Sequence, residues 1–173
     1  MKKFEFYHPI LTDHYGLDWL TKAKVKDIFA LRSQAQIAQL EQRAADQELT
    51  DTVAYVNQVM RLVMNNQALV WGITRRVDQQ FVGIVGLTEF TADSKQATLQ
   101  FTLPDVASLT SAMTEVLKRL ITFAFQELEL SQINANVAQE DALQVQLFEE
   151  AGFSLTKTEG TIRHYQLTPN DKI

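Results

Sequence analysis

The spacing of apolar residues changes several times along this chain, and each change marks an element. Val25, Ile28 and Phe29 recur at helical intervals after Thr21, a residue able to cap a helix start. The pattern breaks near Ser33 and resumes toward Ile37 and Leu40. Thr50-Asp51-Thr52 predicts a second helix start, with Val53, Val56, Met60 and Val63 on one face. The period then shortens. Ala68–Val77 and Phe81–Phe90 are rich in β-branched and aromatic residues around Asp78-Gln79, which predicts a hairpin. After a turn at Thr91–Ser94, Gln96–Leu103 reads as a strand stopped by Pro104, which cannot donate to a sheet ladder. Met113, Val116, Leu117, Leu120, Ile121, Ala124 and Leu128 share one helical face. Ile133–Val137 alternates like a strand. Asp141 to Gln144 matches a capping box that opens a helix through Leu147, Phe148 and Ala151, and Gly152 ends it. Phe153–Lys157 and Thr161–Leu167 predict two closing strands joined at Glu159-Gly160.

This order combines an antiparallel hairpin with a strand–helix–strand crossover. It predicts an α/β fold with a mixed, mostly antiparallel sheet of about six to seven strands flanked by about four helices. A length of 173 residues suits a single domain over 1–173, with 1–9 and 168–173 as peripheral tails. The chain has no cysteine, which removes disulfides and thiolate chemistry and fits a reducing cytoplasm. The basic start Met1-Lys2-Lys3 lacks the apolar run of a leader, and Ala68–Thr74 and Phe81–Leu87 are too short to span a bilayer. With a net charge of −5 and no basic stripe, nucleic acid is not an expected partner. An anionic ligand stays compatible, because helix-start amides hold phosphate without basic side chains. His8, His14 and His164 are scattered, so no metal site is expected. The chain leaves monomer and homodimer both open.

The ordered set of segments resembles the GNAT superfamily of N-acetyltransferases, in the branch that acetylates ribosomal-protein N-termini at alanine or serine. Ile10–Thr21 is similar to that branch's opening strand, and Phe81-Val82-Gly83-Ile84-Val85-Gly86-Leu87 to its third strand. Thr114–Phe125 is similar to its cofactor helix, and Ile133–Val137 with Glu150-Ala151-Gly152-Phe153 to the strand and turn near the end. The resemblance runs from Ile10 to Leu167 and rests on the whole set rather than on one motif. It implies a GNAT-like fold, acetyl-CoA or CoA as cofactor, and an acceptor that is a small-molecule amine or a protein N-terminus.

It also implies a site. In the family, two neighbouring strands diverge and the pantetheine arm pairs with exposed backbone; here that puts amide donors near Phe101, Thr102 and Leu103. The diphosphate loop falls on Val106 to Ser111, with Leu109 and Ser111 where the family has glycine, and Leu109, Thr110, Ser111 and Ala112 as its helix start. Ser111 is a candidate cap there. Asp141 stands where relatives carry Asn, Gln144 where they carry Ser, Phe148 where many carry a Tyr acid, and Thr98 where some carry a Glu base. His14 and Asp18 replace opening-strand arginines. Asp141 reads equally as a cap or a cofactor contact, and Phe148 as core or as cleft wall. Glu89, ending the third strand, is the candidate base; His164 and Tyr165 face opposite sides of the last strand. Ser33–Thr50 shows no charge cluster that would choose an acceptor. The alternative reading is a catalytically inactive binding or regulatory module on the same fold.

Overall fold

The computed structural model describes residues 2–106 and 108–171. Ala107, within the predicted loop, lies outside the described residues, as do Met1, Lys172 and Ile173 of the predicted tails. The elements run β1 (Ile10–Leu11), β2 (Tyr15–Trp19), α1 (Val25–Arg32), α2 (Ala35–Leu40), α3 (Leu49–Met64), β3 (Leu69–Arg75), β4 (Phe81–Thr88) and β5 (Gln96–Thr102). They continue with α4 (Leu109–Thr122), β6 (Gln132–Ala138), α5 (Ala142–Glu150), β7 (Ser154–Glu159) and β8 (Ile162–Leu167). The strands form one sheet in the order β1-β2-β3-β4-β5-β6-β8-β7. The expected mixed, mostly antiparallel sheet is present; among the described residues there are eight strands rather than six or seven and five α-helices rather than four. The extra strand arises at the start. Ile10–Thr21 is not one strand but a hairpin, Ile10 opposite Leu17, followed by a short 3-10 turn at Leu20–Lys22.

Two compact units divide the chain. The first comprises Lys2–Gly86 with Phe101–Pro104. Its core joins Leu20, Ile28, Leu31, Ile37, Val56, Val59, Val70 and Ile84. Thr21 does not cap α1; that helix begins at Val25 with Lys24 before it and no side-chain cap. The first helical face is Ile28, Leu31 and Arg32 rather than Val25, Ile28 and Phe29. α3 starts one residue before the expected Thr50, under a capping box between Glu48 and Asp51. It buries Thr52, Val56, Val59 and Val63, while Val53 stays 44% exposed. The predicted N-terminal tail is not peripheral. Phe4 and Tyr7 are each 3% exposed, Phe4 N–H donates to Asn66 Oδ1 (2.8 Å), and Trp71 Nε1 donates to the Tyr7 carbonyl (2.9 Å). Gly83 permits a close approach: a Cβ there would stand 2.7 Å from both the Thr102 carbonyl oxygen and Leu103 Cδ2.

The second described unit comprises Leu87–Gln100 and the chain from Asp105 onward. Parallel strands need a long crossover, and α4 supplies it between β5 and β6, ending in a π-turn at Phe123–Glu127. Every residue of the predicted Met113–Leu128 stripe is buried. Gly152 adopts φ 97°, a conformation that costs glycine little, and so closes α5 as its position suggested. β7 starts after Phe153, which is buried, and all six β7 residues are exposed.

Candidate functional site

β5 and β6 begin as an ordinary parallel pair, with Gln96, Ala97 and Thr98 opposite Gln132, Ile133 and Asn134. No register pair follows, although Leu99 and Gln100 continue β5 and Ala135 and Asn136 continue β6. β6 itself stays regular, because it pairs with β8 as far as Ala138 opposite Ile162. The ladder therefore stops at Thr98 while both strands run on. Main-chain groups need partners, so a strand released from its neighbour offers donors and acceptors to an extended ligand.

α4 begins at Leu109. Ser108 holds the N-cap position without a side-chain bond, so among the described residues no side chain caps the helix, and Ser111 lies inside its first turn rather than acting as the cap. The Leu109 N–H donates to the Val106 carbonyl (2.9 Å). An open helix start carries partial positive charge. It faces a groove of about 620 Å³, lined from one side by Asp105, Thr110 and Ser111 and from the other by Ala142, Leu143, Gln146 and Glu150 of α5. Leu109 is half-buried and is not part of that lining, so its side chain does not fill the groove. Ala112, one turn in, is half-buried. Asp141 accepts from the Gln144 N–H (3.2 Å) and so caps α5. Phe148 is 1% exposed and meets Phe153 edge-on, ring centroids 5.0 Å apart, which puts its ring in the interior.

Glu89 adopts φ 51° just after β4 and is exposed. Thr98 Oγ1 donates to its carboxylate at 3.3 Å, so Glu89 stands beside the last rung of the β5–β6 ladder. Phe101, Thr102 and Leu103, at the far end of β5, are all buried. His164 and Tyr165 do face opposite sides. His164 Nδ1 lies 2.7 Å from Asn136 Oδ1, whereas buried Tyr165 donates to Glu149 (2.7 Å), and burial pushes its phenol above the usual range. His8 pairs with Asp18 at 2.8 Å, and Asp18 lines a second groove of about 790 Å³ with Lys24, Asp27, Arg76 and Phe81. Among the described residues, no three His, Asp or Glu side chains are grouped to hold a metal ion. Nor is any helix among them long and apolar enough to cross a membrane.

The segment after α2 corrects the expectation of a stretch without a charge cluster. Arg32 donates to Asp46 through Nε (2.9 Å) and Nη2 (3.2 Å), and Thr52 Oγ1 adds a third bond to Asp46 (2.8 Å). The Arg32 guanidinium lies 3.6 Å from the Tyr55 ring centroid. Arg43 Nε donates to Glu41 (2.7 Å), and its Nη1 donates to the carbonyls of Arg32 (3.2 Å) and Ala44 (3.1 Å). Arg43 Nη2 is buried without a hydrogen-bond partner among the described residues. An unmade buried donor costs about 1–3 kcal/mol, so the other nitrogens dictate where this guanidinium sits. Glu41 reaches farthest, accepting from the hydroxyl of Thr102 with its second oxygen. These residues are polar and aperiodic in sequence; only pairs as distant as Glu41 and Thr102 reveal the cluster.

A family model described as an acetyltransferase (GNAT) domain matches residues 16–154. The N-acetyltransferase YoaA of Bacillus subtilis (strain 168), itself uncharacterized, is 23% identical over 94% of this chain and 93% of its own length. Spermidine N-acetyltransferase from Vibrio cholerae, solved with CoA and spermine, superposes with a TM-score of 0.76 at 16% identity, covering 92% of this chain and 98% of that one. RimL, the ribosomal L7/L12 alpha-N-protein acetyltransferase solved with coenzyme A, superposes at 0.79 with 13% identity, covering 93% and 98%. At these identities the structural likeness establishes a shared fold.

Proposed function

The chain belongs to the GNAT acetyltransferase family and is an acetyl-CoA-dependent N-acetyltransferase, and from that premise we propose that it passes the acetyl group directly to a primary amine while both reactants are bound. The acceptor is a small-molecule amine or a protein N-terminus, the classes named for the spermidine and L7/L12 relatives. The observation that carries this reading is the β5–β6 ladder that ends at Thr98 although both strands continue.

The residues fit the donor. The uncapped start of α4, with the groove at Thr110 and Ser111, suits a diphosphate, since helix-start amides and the helix dipole favour anions. The Leu109 N–H is engaged by the Val106 carbonyl and Ala112 lies one turn in, so Thr110 and Ser111, which line the groove, supply the first-turn amides. Asp141 acts by shaping the start of α5, and Phe148 by backing that helix from inside. Acetyl-CoA supplies a thioester whose carbonyl carbon an uncharged amine attacks; as the C–N bond forms the C–S bond breaks, and CoA leaves as a thiolate that takes a proton from water. Main chain of the β5 end, Phe101 to Leu103, polarises that carbonyl, a contribution that needs no particular side chain. Holding both reactants in line supplies much of the acceleration. The amine's proton leaves through water, with Glu89 beside the last rung as the receiving base.

Two measurements test this together. Acetyl-CoA at roughly 100 times its Kd should stabilise the fold by about 2.7 kcal/mol, visible as a higher melting temperature. Free thiol should appear when a panel of polyamines, small amines and N-terminal peptides is added. A flat melting curve at millimolar acetyl-CoA with no thiol release from any acceptor would overturn the proposal.

A further inference from the structure

We infer that Glu41, held by Arg43, is a positioning residue that clamps the end of β5 through the Thr102 hydroxyl. The inference rests on the proposed use of the Phe101–Leu103 main chain. Ladder hydrogen bonds along its edges hold a strand in a sheet; β4 remains the neighbour on one edge of β5, and past Thr98 the register with β6 on the other edge ends. Something besides that remaining edge must help hold its last residues still, because catalytic donors act only when preorganised. Two devices do so. Gly83 lets β4 press against the Thr102 carbonyl and the Leu103 side chain, where any Cβ would collide at 2.7 Å. Glu41, just past the last residue of α2, accepts from Thr102 Oγ1 with one oxygen and from Arg43 Nε with the other.

The anchor is itself fixed. The Glu41 side chain is 13% exposed and that of Arg43 is 20% exposed. Arg43 is tied through Nη1 to the carbonyls of Arg32 and Ala44, and Arg32 is locked to Asp46. Thr102 thus connects to α1, α2 and α3 through charge-assisted bonds, which are shorter and stronger than neutral ones. A side chain on an otherwise irregular segment holds the strand end where a ladder would have held it. Glu41 is paired with a cation and engaged at both oxygens, so its role is to hold Thr102 in place.

The test compares Thr102→Val, Thr102→Ser and Glu41→Gln with the unaltered protein, in steady-state acetyl transfer and in amide hydrogen exchange. Valine keeps the shape and loses only the hydroxyl; serine keeps the hydroxyl. Expected are a kcat about 10- to 100-fold lower in Thr102→Val, the scale of a small misplacement at a reacting centre, with the KM for acetyl-CoA within about twofold. The Leu103 amide should exchange faster while that of Ile73 in β3 does not. Thr102→Ser should recover kcat to within about twofold, and Glu41→Gln should lower kcat in the same direction. Should Thr102→Val not fold, Glu41→Gln reads the same clamp from its other side. A Thr102→Val kcat within twofold of the unaltered protein, or a Thr102→Ser loss as large as that of valine, would overturn the clamp. Absence of turnover in the unaltered protein would instead overturn the proposed reaction, so the two failures are distinguishable.

Discussion

Arg32 and Asp46 show how much a single polar pair decides here. Their side chains are 11% and 6% exposed, and Thr52, itself fully buried, completes the set. Burial alone would raise the Asp46 carboxyl, but bonds from Arg32 and Thr52 and the charges of Arg32 and Arg43 outweigh it and hold it below the ordinary range. A carboxyl lowered in the folded state binds protons less readily than in the unfolded chain. Its stabilising contribution is therefore complete above the unfolded value of about 4 and fades as pH falls through the lower folded value. Breaking a buried pair from one side typically costs about 3–5 kcal/mol. Asp46→Ala should cost about 3 kcal/mol in urea unfolding at pH 7 and should lose less further stability than the parent between pH 5 and pH 3. A parent-like fall over that acid range would show that Asp46 carries no such linkage. None of this is legible in sequence: Thr52 has no apolar signal, so the α3 face reads as Val53, Val56, Met60 and Val63 when the buried set is Thr52, Val56, Val59 and Val63.

At the scale of elements, the helix starts differ in a way that bears on binding. α3 has a reciprocal capping box and α5 has Asp141, whereas among the described residues no side chain caps α1, α2 or α4, and the start of α4 lines the groove shared with α5. Capping and ligand binding compete for the same N–H groups, so an uncapped helix at a groove trades some stability for a seat. Ser111→Asp puts a carboxylate in that first turn. It should raise stability by about 0.5 kcal/mol through the helix dipole while weakening acetyl-CoA binding severalfold, read by thermal melting without ligand and by titration calorimetry with it. Gains in both would mean that the diphosphate does not sit at α4. The helices and most strands were visible in sequence because period and punctuation agree over many residues, as in the Met113–Leu128 stripe and the Gly152 stop. Boundaries failed where a local signal misled: Thr21 invites a cap but lies in a 3-10 turn, and Ile10–Thr21 hides a hairpin.

For the molecule as a whole, the charge balance has the same sign as the anionic donor. The net charge is −5, and the groove at α4 carries Asp105 and Glu150. Long-range repulsion of this kind is screened by salt, with a Debye length near 10 Å at about 0.1 M. Affinity for acetyl-CoA should therefore hold or tighten as sodium chloride rises from about 20 to 200 mM, across a Debye length of roughly 20 Å down to 7 Å. Calorimetry at both salts decides it; a steep loss would point to basic side chains at the phosphates. Sequence by itself determined the order of elements, the mixed sheet and the family, because hydrophobic period, capping residues and turn residues are local and repeat along the chain. Tertiary structure alone decided where the β5–β6 ladder ends, that Leu109 leaves the groove open, that Phe148 is interior, and that Glu41 meets Thr102. Those outcomes depend on strand register and on polar groups far apart in the chain, and neither leaves a periodic trace in the order of residues.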